Sequence, residues 1–165
     1  MGLTAREEKK AALDEHQYIT FDLMNECYGI QVLEVQEIVG MQKITHVPHS
    51  MPFMKGVINL RGVVVPLVDL RIKFGLPGKE YDKINVIMVV QSRGKLIGVI
   101  VDAVSDVVSL QADAIQDTVH FSVNIDTDYI RGIADHGGKL IIVLDVEKIF
   151  TAEELRMMAK EKDVE

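Results

Sequence analysis

The sequence predicts an all-β fold: two packed five-stranded β-barrel subdomains related by an internal repeat, with short helical turns and a C-terminal α-helix. Three observations carry this. Val and Ile together number 39 against 13 Leu, and β-branched side chains suit a pleated surface better than a helix. The apolar runs are short and separated by Gly, Pro, Asn or Ser, the punctuation of a barrel or sandwich. Finally, YGIQVLEVQEIV (28–39) matches IGVIVDAVSDVV (97–108) at an offset of 69, and the run 53–74 matches 129–150 at an offset of 76.

The matched positions are specific. Gly29 aligns with Gly98, Val35 with Val104 and Glu37 with Asp106; Phe53 aligns with Tyr129, Gly56 with Gly132, Gly62 with Gly138, Asp69 with Asp145 and Phe74 with Phe150. Two units of roughly 60–70 residues with about five strands each make a pair of small barrels, and a barrel that small buries little surface alone. The two should therefore pack together, at about 16–83 and 84–150, with strand exchange between them left open. Residues 1–15 read as a polar tail and 151–165 as a C-terminal helix and tail.

Along the chain, strands are expected at YITFDL (18–23), YGIQV (28–32), QEIVG (36–40), KITHV (43–47), GVINL (56–60) and VVVPLVDL (63–70). Pro66 inside the last run marks an edge or a bulge, because proline cannot donate to a ladder. Asp69 is placed to cap one helical turn in LRIKFG, from which Gly75 provides a left-handed exit. In the second unit the strands are NVIMVVQ (85–91), LIGVIVDAV (96–104), DYIRGIADH (128–136) and KLIIVLDV (139–146), followed by a turn that Asp145 can cap. In FTAEELRMMAKEK, Thr151 and Glu154 form a capping box, Phe150 and Leu155 a hydrophobic staple, and Leu155, Met158 and Ala159 share one face. That face suits packing on the barrels, and its methionine leaves a partner-binding role open.

The net charge of −7 argues against a general nucleic-acid binder, which needs a basic face. A single-strand binder would also need stacking aromatics, and the chain has no Trp. The one cysteine, Cys27, excludes an internal disulfide and fits a reducing compartment. No signal-peptide core and no apolar run of spanning length is present. A cytoplasmic protein is expected.

Catalytic signals are weak. Asp69 and Asp145 recur at equivalent places, which favours two helix caps over a carboxylate pair. His46 and His49 in HVPH have no third ligand at metal spacing, so a metal-dependent hydrolase would rest on little. There is no GxGxxG, no Walker-type loop and no GxSxG. Neither catalysis nor a cofactor is expected.

The segments YGIQVLEVQEI, MPFMKGVINLRGVVVPLVDLRIKFG and IGVIVDAVSDVVSL resemble the signature segments of the CheW family of chemotaxis coupling proteins, over about residues 18–150. The resemblance implies two SH3-like five-stranded barrels. It implies a non-enzymatic adaptor that links the cytoplasmic tips of chemoreceptors (methyl-accepting chemotaxis proteins) to the histidine kinase CheA, through the kinase's own CheW-like regulatory domain. Such a protein would be recruited to membrane-associated receptor arrays. With 165 residues there is no room for a kinase or receiver domain as well, so a stand-alone coupling protein is expected.

Arg61 and Gly62 in INLRG form a tight turn, from which the guanidinium projects as a planar donor fork. Chemistry alone leaves Arg61 open between a solvated turn residue and a handle for a partner; the resemblance favours receptor contact and brings Glu37 near as its partner. By the same resemblance Val35, Lys55 and Gly56 join the receptor-binding set, although packing and a turn explain Val35 and Gly56 equally well. Phe121, in the polar stretch QDTVHFSVN, is either a core aromatic or an exposed kinase-binding residue.

Overall fold

The expected strands assemble into two antiparallel-rich sheets, and the repeat governs how. A computed structural model describes residues 16–48, 50–117 and 128–162. The strands are β1 (Gln17–Leu23), β2 (Glu26–Gln31), β3 (Val35–Gly40), β4 (Met54–Leu60), β5 (Val63–Asp69), β6 (Val86–Ser92), β7 (Lys95–Val101), β8 (Ala103–Ser109), β9 (Ile115–Gln116), β10 (Ile130–His136) and β11 (Lys139–Leu144). The helices are α1 (Leu70–Lys73), α2 (Val146–Ile149) and α3 (Ala152–Lys162). One sheet has the order β3-β6-β7-β5-β4 and the other β8-β1-β2-β11-β10-β9. These are the two SH3-like barrel subdomains, called here barrel B and barrel A.

Each barrel borrows a hairpin. Barrel B holds β3, β4 and β5 of the first repeat and β6–β7 of the second; barrel A holds β8 to β11 of the second repeat and β1–β2 of the first. The borrowed hairpins join through parallel pairs, Leu67 with Gly98 in barrel B and Val143 with Gly29 in barrel A. Those two pairs are equivalent under the repeat.

Burial explains the run-on hydrophobicity of the borrowed strands. In β6, Ile87 and Val89 enter the core of barrel B, while Met88 and Val90 enter the large cluster between the barrels. In β1, Ile19, Phe21 and Leu23 face that same seam and Tyr18 faces the core of barrel A. A strand buried on both faces reads as continuous apolar sequence rather than alternation. The seam also holds reciprocal ring contacts, Phe53 with Phe150 at 6.2 Å and Phe74 with Tyr129 at 4.7 Å, which the repeat exchanges for one another.

Glycine is obligatory at one equivalent place in each barrel. Bulges fall between Met54 and Gly56 and between Ile130 and Gly132. A Cβ on Gly56, whose φ is 142°, would lie 2.2 Å from the Thr45 carbonyl oxygen, and one on Gly132 would lie 2.4 Å from that of Gln116. Each is a point where a neighbouring backbone closes on the bulge.

The helical turns are capped as expected. The Asp69 carboxylate accepts from the N–H of Arg71 at 3.0 Å and from the Tyr81 hydroxyl at 2.6 Å, and Asp145 accepts from Glu147 at 3.1 Å. The Thr151–Glu154 capping box forms reciprocally at 2.9 and 3.0 Å, and Leu155 and Met158 are buried in the seam cluster.

Three local expectations change. The strand over 43–47 reduces to a single bridge of Thr45 with Val57, since Pro48 ends the ladder on that side. The run 96–104 breaks at Asp102, where the chain leaves barrel B for barrel A. Pro66 lies within a sheet, but Val63–Pro66 pair with β4 only and pairing with β7 begins at Leu67, so the residue meets a one-sided stretch. The tail 1–15, His49 and Phe121 lie outside the described residues.

Two predictions follow from the exchanged hairpins and the bulges. Fragments 16–83 and 84–150 each lack a hairpin of both barrels; separately they should show weak circular dichroism and little amide protection, and mixing them should restore both. Gly132→Ala should lower stability by at least about 2 kcal/mol, because a main-chain oxygen must retreat, and so lower the melting temperature by roughly 4–8 °C. Gly40→Ala, with nothing within 4 Å of the added atom, should leave it nearly unchanged.

Candidate functional site

The four hairpin turns share one backbone solution. Met24–Asn25, Arg61–Gly62, Arg93–Gly94 and Gly137–Gly138 all have positive φ at both central residues, as a two-residue turn matching strand twist requires. Arg61 adopts φ 51° where its repeat equivalent is Gly137. A left-handed conformation is unfavourable for a non-glycine residue by roughly 1–2 kcal/mol, a cost that Met24 and Arg93 bear at the same place in their turns. The turn is braced by the Gly62 N–H donating to Asn59 Oδ1 at 2.8 Å, as Gly138 donates to Asp135 Oδ1 at 2.9 Å in the other barrel.

From this tip the Arg61 guanidinium reaches Glu37 on β3 and donates through both terminal nitrogens, Nη1 at 3.2 Å. β3 and β4 are the two edges of their sheet, so the fork closes barrel B across its mouth. A bulge between Val35 and Glu37 sets the register of β3 at this point. Hydrogen bonding from Arg61 holds the Glu37 carboxyl below the usual carboxylate range. The Arg61 side chain is 74 % exposed and that of Glu37 29 %. With Ile38 on β3 and Val63 and Val64 on β5 also exposed, the neighbourhood offers a fixed cation with apolar surface nearby.

The expected site residues do not all converge. Glu37 and Arg61 meet; Val35 begins the same strand and packs on the seam cluster. Gly56 is buried in its bulge. Lys55, at the far end of β4 from Arg61, lines a separate concavity with Ile44, His46, Asp69 and Tyr81. Among the described residues no group of three or more His, Cys, Asp or Glu is placed to hold a metal ion. Among the described residues no helix is long and apolar enough to cross a membrane.

Two features escape the sequence reading. Asp102 accepts from Arg71 at 2.8 and 2.5 Å and from the Met24 N–H at 3.0 Å, a largely buried pair that ties both barrels where the chain crosses. The aspartate interrupting LIGVIVDAV was the available signal. Glu34, in the 3₁₀ turn Val32–Glu34, lies inside the repeat, where its equivalent is Ala103, and that mismatch was the available signal.

Comparison with known proteins places this geometry. The family model of the CheW-like domain matches residues 17–154. The chain is 41% identical over 142 residues to a chemotaxis protein CheW of Klebsiella aerogenes, covering 86% of each chain. It is 35% identical over 136 residues to that of Bacillus subtilis, covering 82% of this chain and 86% of the relative. A crystal structure of the scaffolding protein TtCheW from Thermoanaerobacter tengcongensis superposes with a TM-score of 0.77 at 32% identity, over 84% of this chain and 94% of that one. With its two exchanged barrels and these matches over most of its length, the chain belongs to the CheW family of non-enzymatic chemotaxis scaffolds.

Proposed function

We propose that this protein couples the cytoplasmic tips of chemoreceptors to the regulatory domain of the histidine kinase CheA, acting at the cytoplasmic face of receptor arrays. The observation that carries the reading is Arg61: an arginine held in a left-handed turn, exposed, and aimed by Glu37. A guanidinium restrained in this way keeps donors available to a carboxylate or to the carbonyls at a helix end, with little side-chain freedom left to lose on binding. The exposed Val and Ile beside it suit the apolar face of a receptor helix.

In this reading Glu37 orients Arg61, and Val35 and Gly56 keep β3 and β4 in place, one by packing and the other through its bulge. Lys55 adds a cation at the margin. Phe121 is the proposed kinase contact. The two partners would then be held by one body whose barrels cannot separate without unpairing the exchanged hairpins.

Arg61→Ala should weaken co-sedimentation with receptor-bearing membranes by about tenfold or more, in the range of an interface arginine. Its melting temperature should move by no more than about 2 °C, because exposed ion pairs contribute little. The contrasting change, Arg71→Ala, strands Asp102 and should lower the melting temperature by roughly 4–10 °C, with any loss of binding following loss of fold. Unchanged receptor binding by a well-folded Arg61→Ala protein would make Arg61 a barrel-closing residue only.

A further inference from the structure

The chain passes between the barrels twice, and the two passages are built differently. At 101–103 the Asp102 carboxylate is held by Arg71 and by the Met24 N–H. Under the repeat, Arg71 corresponds to Glu147 and Met24 to Arg93. At the second passage Glu147 itself accepts from the Arg93 N–H at 2.8 Å, and Arg93 Nε donates to the Glu147 main-chain oxygen at 3.1 Å. An acid therefore stands where the first passage has a guanidinium.

Into this corner the turn Val32–Glu34 inserts the side chain of Glu34. Its Oε2 is sealed from solvent and has no hydrogen-bond partner, the only such side-chain atom among the described residues. Around the carboxyl group stand Asp145 and Glu147 at the start of α2, Arg131 from β10, and the main chain of Val146, whose hydrogen bond to the carboxyl group favours the ionised form. Arg131 approaches Asp145 at 3.9 Å and shares a concavity with Asp117. Burial is the largest influence on Glu34 and Asp145 the next; together with Glu147 they outweigh Arg131 and Val146 and push the group up to about 7.

We propose that Glu34 is a proton-operated latch on the passage from barrel A to barrel B. Protonated, the neutral acid occupies the corner and lets Val32–Glu34 rest against the start of α2. Ionised, it becomes a third carboxylate beside Asp145 and Glu147, and the passage loosens. β3 begins at the next residue and carries Glu37, so the latch acts on the strand that closes the mouth of barrel B. It operates whichever partner occupies that face.

The sign is fixed by linkage. An unfolded glutamate titrates near 4.5 and the folded one near 7, so the native state holds the proton more tightly. The contribution of Glu34 to stability is then greatest below about 4.5, falls as pH rises through 7, and is flat above.

The test uses the full chain with 13C-labelled glutamate carboxyl groups, followed by NMR from pH 4 to 9, with Glu34→Gln to assign the resonance. Glu34 should titrate with a midpoint near 7, and Glu147→Gln, which retains an acceptor for Arg93, should lower that midpoint. Wild type should lose melting temperature relative to Glu34→Gln between pH 5 and 8. Amide protection, corrected for intrinsic exchange, should fall over 32–36 and 145–149 while β6 and β7 hold theirs. A Glu34 midpoint below 5, parallel melting curves, or a loss of protection spread evenly along the chain would each overturn the latch.

Discussion

The rest of the structure depends on the burial of two hairpins on both faces. β1–β2 and β6–β7 each supply one face to the core of a barrel and the other to the seam, so Phe21, Leu23, Met88 and Val90 are as fully buried between the barrels as Ile87 and Val89 are within one. Because each hairpin belongs by sequence to one repeat and by pairing to the other, neither barrel can complete its sheet without the other's strands. At roughly 25 cal/mol per Å² of apolar surface, separation would expose the largest cluster in the molecule and leave two ladders unpaired. A scaffold needs such a property, since force or orientation delivered to one barrel reaches the other through covalent chain and shared core.

Exchange creates a topological cost, which is two crossings of the chain between barrels, and charge is placed at both. A crossing interrupts the ladder and brings main-chain polar groups to the seam, where an unpaired group is unfavourable by about 1–3 kcal/mol. Asp102 resolves one crossing by taking the Met24 N–H and neutralising itself against Arg71. The other is resolved by Glu147, which takes the Arg93 N–H and leaves Glu34 with an oxygen unpaired. The same fold problem has thus been met once with a closed ion pair and once with an acid cluster, and it is the second that the proposed latch would use.

Much of this was legible in the sequence because the repeat doubles each signal. The caps Asp69 and Asp145 and the capping box at Thr151 were readable because each needs a particular residue at a particular local place, whereas Gly56 and Gly132 were visible only as a matched pair and their bulges came with the structure. Which strands pair was not readable: the offsets of 69 and 76 tell which segments are alike, and two alike barrels are satisfied equally well by retained or exchanged hairpins. The strand expected at 43–47 failed because local propensity was outweighed by Pro48 and by the close approach of Gly56 to Thr45. At the candidate site, the Arg61 turn was visible from INLRG, but its pairing with Glu37 spans 24 residues and came only with the family resemblance. Arg71 with Asp102, 31 residues apart, had no such guide.

The repeat also indicates where function resides, through the positions at which it breaks. Two units folded on the same frame keep alike the residues that build the frame: the parallel-pair glycines Gly29 and Gly98, the caps, the bulges and the reciprocal rings of Phe53, Phe74, Tyr129 and Phe150. They differ at the exposed tips. Gly137 at one hairpin is the residue that turn geometry favours, and Arg61 at the other is one that it disfavours. Glu37 beneath Arg61 becomes Asp106, whose main-chain N–H is taken by Thr20 at 3.1 Å and whose side chain faces no arginine at the equivalent tip. Met24 and Arg93 bear the same left-handed conformation at their own turns, so what sets Arg61 apart is the side chain, whose guanidinium reaches Glu37 on another strand. On the proposed reading, barrel B is the barrel that presents Arg61 to a receptor, and barrel A, bound to it by exchange, leaves its own surface to a second partner.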